Sequence, residues 1–214
     1  MPTDVMPPPH TEPRTPAPQH ATQHVTQPSF DAFFVADGIG GQRLCVFHAA
    51  QAMESAPRAA VLYVHPFAEE MNKSRRMAAL HARAVAAAGC DVLLIDLHGC
   101  GDSSGDFGDA GWQQWIDDVL RGCAWLRQRS SAPLWLWGLR AGALLAVEAA
   151  RQAALDCNLL LWQPSTSGKT ALQQFLRLKT AAGIVGGDAA APSTQSLRAE
   201  LDAGRAVEVA GYTL

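Results

Sequence analysis

The sequence predicts an α/β domain, a mostly parallel sheet with helices on both faces. Three observations carry this. Apolar runs at 59–64, 91–96, 134–137 and 158–162 read as strands, the first ones buried on both faces. Between them lie segments whose apolar residues recur at helical spacing. Parallel strands in series need such crossover helices. The chain has 214 residues, 48% hydrophobic and 17% charged, which suits one domain with a sizeable core.

Residues 1–28 hold eight of the 13 prolines and three of the seven histidines, His10, His20 and His24. That composition cannot build a core, so a disordered or extended tail is expected there. The irregular histidine spacing makes no metal site. The folded domain is expected over 29–214. Phe30–Ala36 and Arg43–His48 are β-rich runs separated by Gly38, Gly40 and Gly41, a hairpin signal. Gln51–Pro57 reads as a loop, and Ala59–Val64 as a buried strand.

The polar stretch from His65 to Arg76 leads into a helix. Met77, Leu80, His81, Ala84, Val85 and Ala88 recur at helical spacing until Gly89. Asp91–Asp96 is the next strand and opens into the glycine-rich loop Leu97–Gly105. Trp112, Trp115, Ile116, Val119, Leu120 and Cys123 form a helical core stripe running to about Arg129, with Asp117 and Asp118 expected on the exposed face. A strand from Leu134 meets a Gly138-x-x-x-Gly142 turn, and a helix runs on to about Ala154. Asn158–Trp162 is a further apolar strand. A helix follows from about Gly168 to Ala182, then a Gly/Ala-rich, mobile stretch to Thr194. A short helix at Gln195–Ala203 and a short strand at Ala206–Ala210 complete the reading.

Charge and cysteine usage narrow the function classes. A net charge of −3 gives no basis for a nucleic-acid or anionic-membrane partner. The five cysteines are odd in number and lack a C-x-x-C pair, as expected of reduced thiols in the cytoplasm. No apolar run reaches membrane-span length, and the N-terminus lacks signal-peptide features. Ser167-Gly168-Lys169-Thr170 mimics the end of a phosphate-binding loop, but position 163 is Gln rather than Gly and Pro164 removes a backbone N–H. Gly99–Gly105 likewise misses the G-x-G-x-x-G spacing. No cofactor and no metal are expected.

The loops after Val64, Asp96, Trp137 and Trp162 all fall at the carboxyl ends of strands, where such sheets keep their chemistry. The Gly138–Gly142 turn has the setting of a nucleophile elbow, G-x-S-x-G. Its central residue is Arg140. His65-Pro66-Phe67 follows the strand that supplies half an oxyanion hole, with Phe67 and Ala141 as the amide donors. Asp96-Leu97-His98-Gly99-Cys100-Gly101-Asp102-Ser103 resembles the D-x-R-G-x-G-x-S loop of many α/β hydrolases, with His98 in place of Arg.

These three signals, in this order, resemble the α/β-hydrolase superfamily. Residues 66–77, 97–107 and Trp162-Gln163-Pro164 are similar to one of its families, the second-type hydrolase associated with the exosortase A system. That resemblance covers about residues 30–214. It implies a bacterial cytoplasmic protein linked to exopolysaccharide and protein-sorting genes, with a small-molecule or acyl substrate. It also implies a longer chain, so this one reads as C-terminally truncated, lacking the last strands.

The residues themselves do not supply an ordinary triad. Arginine is no nucleophile, and no histidine follows His98, whereas this fold places its base after the elbow. The candidate site is Arg140, His65, Glu69, Glu70, His98 and Ser103. One reading is a hydrolase or acyl-transfer enzyme of the ester/thioester class with a non-standard site. The other is a pseudo-hydrolase binding an anionic metabolite or a protein partner, with Arg140 held by Glu69 or Glu70 or receiving an anion. Ser74, Ser104 and Cys100 are weaker nucleophile candidates, most simply helix-start, turn and buried residues.

Overall fold

The computed structural model describes residues 30–51, 56–186 and 191–214. The expected tail at 1–28 lies outside the described residues. So does 187–190, part of the stretch expected to be mobile.

The main sheet holds β1 (Asp31–Ala36), β2 (Gln42–His48), β3 (Ala60–Val64), β4 (Asp91–Ile95), β5 (Leu134–Leu139) and β6 (Asn158–Trp162). Their order is β1-β2-β4-β3-β5-β6. β1, β2 and β4 pair antiparallel in sequence, while β4, β3, β5 and β6 are parallel. The expected hairpin and parallel sheet are both present. β6 lies at the edge, with Leu159 and Leu161 exposed.

Strand alternation sends side chains to two different layers. Phe47, Leu62, Val64, Leu93, Ile95 and Leu136 face α2 (Trp112–Arg129) and α3 (Gly142–Gln152). Val61, Tyr63, Val92 and Trp137 face the opposite way, onto Ala78 and Ala82 of α1 (Glu69–Ala87). The helices therefore lie on both faces. α1 begins eight residues before Met77, directly after the Pro66 turn. Glu69 and Glu70 occupy its first turn, where carboxylates suit the helix dipole. Its buried side is Met71, Ala78, Ala82 and Ala86, whereas Met77 and Leu80 are exposed. Of the apolar stripe read from the sequence, His81 and Val85 do pack against the sheet at Trp137, while Met77 and Leu80 turn outward, because small alanines let α1 approach the sheet.

On α2, Trp115, Ile116, Val119 and Cys123 are buried as expected. Trp112 is instead exposed, and Asp118 is 1% exposed rather than solvated. The cause is Arg43, fully buried between Asp118, with Oδ2 2.8 Å from Nε, and Asp37, with Oδ2 3.2 Å from Nη1. This triad ties the β1–β2 turn to α2.

After β6 come α4 (Gly168–Val185), α5 (Thr194–Asp202) and a hairpin of β7 (Glu208–Val209) and β8 (Tyr212–Thr213). α4 runs three residues past the predicted Ala182. Positive φ at Ala210 (50°) and Gly211 (82°) closes the hairpin, the backbone a two-residue turn requires. Phe175, Leu176, Leu197, Val207 and Val209 pack together as a third apolar cluster, and Ala68 joins them from the turn before α1. No helix among the described residues is long and apolar enough to cross a membrane.

Candidate active site at the β5–α3 turn

The turn between β5 and α3 has the geometry that the glycine spacing predicts. A Cβ on Gly138 would stand 2.5 Å from Ala143 Cα, and one on Gly142 would stand 2.3 Å from the Val64 carbonyl oxygen. Only glycine admits α3 so close to β3 and β5. Arg140, at the tip, has φ 54°, a strained region for a residue with a side chain. Its N–H donates to the Trp162 carbonyl, and its own carbonyl accepts from Ala143 and Ser165. The backbone hydrogen bonds fix the strained tip between β6 and α3.

The Arg140 side chain turns toward α1 and α4. Nε donates to Glu70 Oε1 at 3.2 Å, and Nη2 donates to Gln174 Oε1 at 2.9 Å. These groups border a cavity of about 110 Å³ lined by Phe67, Glu69, Glu70, Arg140, Ala141 and Gln174, among others. Glu69 Oε1 is 3.5 Å from Lys73 Nζ. Its other oxygen, Oε2, is buried and has no hydrogen-bond partner among the described residues. The backbone N–H groups of Phe67 and Ala141 have no backbone acceptor there either.

Five of the eight sequence candidates therefore meet at one cavity: Glu69, Glu70, Arg140, Phe67 and Ala141. The other three do not line it. His65 is fully buried, and burial holds its pKa below the ordinary value. Its Nδ1 donates to the Pro66 carbonyl at 2.8 Å, and its Nε2 accepts from Leu97 N–H at 3.2 Å. Both ring nitrogens are thus engaged with backbone groups, and His65 ties the turn after β3 to the loop after β4. Ser103 Oγ donates to the Asp96 carbonyl at 2.6 Å and accepts from Leu44 N–H, which makes it a tie between the glycine-rich loop and β2. His98 packs over Gly105, where a Cβ would lie 2.2 Å from the ring. Its backbone N–H donates to the buried Asp118 and its carbonyl accepts from Trp115 Nε1. Of the thiols, Cys100 is buried, and burial pushes its pKa up to about 12, so it is no nucleophile.

Sequence reasoning missed Gln174, together with Ala171, Phe175 and Leu178, which line the same cavity. Their i, i+3, i+4, i+7 spacing marks one face of α4, and that was the available signal. Phe67 also borders a narrow apolar slot on the far side of the turn, against Phe107, Trp115 and Leu145. Its ring meets those of Phe107 and Phe175 at 5.2 Å each, fixing the turn that carries its N–H. Among the described residues no cluster of His, Cys, Asp and Glu could hold a metal ion.

Comparison with known proteins agrees with this architecture. The profile of the serine aminopeptidase S33 family matches residues 55–186. Among solved structures, the chain is similar to an α/β serine hydrolase without a lid from Xanthomonas campestris, at 25% identity and TM-score 0.51, covering 62% of this chain and 60% of that one. A thermostable carboxyl esterase from Bacillus coagulans, solved with glycerol, is similar over 79% of this chain and 55% of that one, at 18% identity and TM-score 0.55. Est1E from Butyrivibrio proteoclasticus, solved with ferulic acid, is similar at 18% identity and TM-score 0.52, over 68% of this chain and 56% of that one. The chain thus spans between half and two thirds of each of these proteins. No curated protein sequence matches it.

Proposed function

This chain belongs to the serine aminopeptidase S33 family and has the α/β-hydrolase fold, and from that premise we propose that it hydrolyses or transfers an activated acyl group without a serine nucleophile. The observation that supports this is a single cavity bordered by two amide donors, a tethered guanidinium and an unpartnered carboxylate oxygen. In this reading Arg140 stands at the nucleophile's position and contributes charge rather than attack. The Phe67 and Ala141 N–H groups receive the acyl oxygen, and Arg140 adds positive charge as that oxygen becomes anionic. Glu69 Oε2 takes a proton from water while the water oxygen bonds to the acyl carbon. The carbon–sulfur or carbon–oxygen bond then breaks, and the thiolate or aryl oxide departs without needing an acid. Thioesters and aryl esters are the substrates that fit, because their leaving groups depart as stable anions and need no proton from Glu69. His65, His98 and Ser103 act at a distance, by holding the two loops.

The likeness of residues 66–77, 97–107 and 162–164 to the exosortase-associated hydrolases supports a bacterial cytoplasmic role beside an exosortase and exopolysaccharide system. Gene neighbours of that kind would bear it out, and their absence would remove it. The chemical reading is tested with p-nitrophenyl esters and acyl thioesters. Turnover should fall at least about 100-fold in both Glu69→Ala and Arg140→Ala, and a serine-directed fluorophosphonate should leave the protein unlabelled. Tight binding of a carboxylate with no turnover would instead establish the non-catalytic reading. Labelling at the elbow would overturn the role given to Arg140.

A further inference from the structure

Another cavity, walled in part by His65, lies between α1 and the sheet. It measures about 100 Å³ and is walled mainly by apolar side chains, among them Leu44, Val46, Met71 and Leu94. Alternation places Leu44, Val46 and His48 of β2 on the same sheet face as Leu94 of β4 and Tyr63 of β3. Tyr63 and His48 both line the cavity. They are 4% and 2% exposed, yet the Tyr63 hydroxyl and His48 Nδ1 have no hydrogen-bond partner among the described residues. Buried polar atoms ordinarily find one. Arg75 and Asp96, also at the wall, neutralise each other across 2.9 Å, so the cavity offers no unpaired charge. Burial lifts the Tyr63 phenol to about 12, although the Ser74 hydroxyl and Arg75 nearby act the other way, and the phenol stays a donor at neutral pH. Burial also holds His48 below its ordinary pKa, leaving a neutral ring.

We propose that this cavity binds a short-chain alcohol-like molecule, uncharged and of about four or five heavy atoms, whose oxygen accepts from the Tyr63 hydroxyl. The apolar body lies against Leu44, Val46, Met71 and Leu94. Size follows from volume, since a cavity of about 150 Å³ takes benzene. The absence of charge follows from the wall, where an ion would lose its hydration and gain no counter-charge. His48 Nδ1 faces the same space and serves as a second polar contact. This cavity shares no lining residue with the elbow cavity, so the proposal stands apart from the reaction assigned above.

The probe is 1-butanol, titrated into the full chain and followed by amide and side-chain NMR. Saturable shifts confined to Tyr63, His48, Ala78 and their neighbours are expected. Tyr63→Phe should weaken binding about tenfold, the effect of one lost hydrogen bond. Ala79→Met should fill the space and abolish saturation with the circular dichroism unchanged. Leu44→Phe fills it from the opposite wall should Ala79→Met fail to fold. Shifts that rise linearly without saturating, or equal affinity in Tyr63→Phe, would overturn the proposal. So would saturation that persists in a folded cavity-filled variant, or contacts at Tyr63 from water alone.

Discussion

Glu70 Oε1 and Arg140 Nε, 70 positions apart in the chain, stand 3.2 Å from each other. The first turn of α1 and the tip of the β5–α3 elbow are thereby joined across the cavity. Each side chain is about one third exposed, and an ion pair at that exposure contributes at most about 1 kcal/mol. Its importance is positional: together with Gln174 it sets where the guanidinium points. Glu70→Gln should leave the urea midpoint nearly unchanged, since the amide oxygen still accepts. Glu70→Ala with Gln174→Ala should free the guanidinium and lower ester or thioester turnover about tenfold or more.

Gly142 tests the elbow itself. Its missing Cβ faces the Val64 and His65 carbonyl oxygens at 2.3 and 2.4 Å, and backbone cannot yield as a side-chain tip can. Gly142→Ala is expected to destabilise the fold by about 2–3 kcal/mol, measured by urea unfolding. Gly168→Ala, where nothing lies within 4 Å, is the matched control and should cost far less.

The Asp37–Arg43–Asp118 triad is nearly inaccessible, with side chains 4%, 1% and 1% exposed. Removing its only cation leaves two buried carboxylates held by backbone N–H groups alone, Asp37 by Ile39 and Gly41 and Asp118 by His98. Arg43→Ala should lose about 3–5 kcal/mol by denaturant titration. Because Asp118 also accepts from His98 N–H, the glycine-rich loop should loosen as well, seen as faster amide exchange at His98 and Gly99.

His65 gives a pH dependence whose sign follows from its burial. Its folded pKa lies below the ordinary 6.5 because the cation would lose its hydration. Above pH 6.5 neither folded nor unfolded chain holds the proton, and the stability contribution is complete. As the pH falls from 6.5 toward the lowered value, the unfolded chain takes up a proton that the folded chain refuses. Stability then drops by up to about 1.4 kcal/mol per pH unit from this residue. Urea midpoints at pH 7.5, 6.5 and 5.5 should show the decline, and His65→Gln should make it shallower, the remainder coming from His48 and His81, which burial also holds below the ordinary value.

Much of the architecture was legible because it rests on local patterns. Apolar runs located β3–β6, and the Gly138–Gly142 spacing located the elbow before any contact was known. A glutamate partner for Arg140 was also legible, as Glu69 or Glu70, from two polar loops reaching the same sheet edge; only the structure selects Glu70. What escaped depends on contacts distant in sequence. Asp118 looks like one of two solvated aspartates until Arg43, 75 positions earlier, is placed beneath it. Met77 and Leu80 look like core until Ala78 and Ala82 are seen against Val61 and Trp137. Small residues carry weak periodicity yet decide how close a helix can come. His65 and Ser103 read as chemistry because their residue types are chemical. Their hydrogen bonds to backbone, invisible in the sequence, assign them to holding loops.

The five residues of β6 carry a further consequence. Asn158–Trp162 contains no charge and no proline, and among the described residues its outward side has no neighbouring strand in the main sheet. Natural edge strands usually hold a lysine, a proline or a bulge that discourages other chains from adding on. This one has none of those guards, and its own Leu159 and Leu161 are exposed. Concentrated solutions should therefore age by intermolecular strand addition starting at this edge, with light scattering that grows with concentration. A single Leu159→Lys change, at the exposed position paired with Leu136 rather than with the elbow glycine, would install the missing gatekeeper.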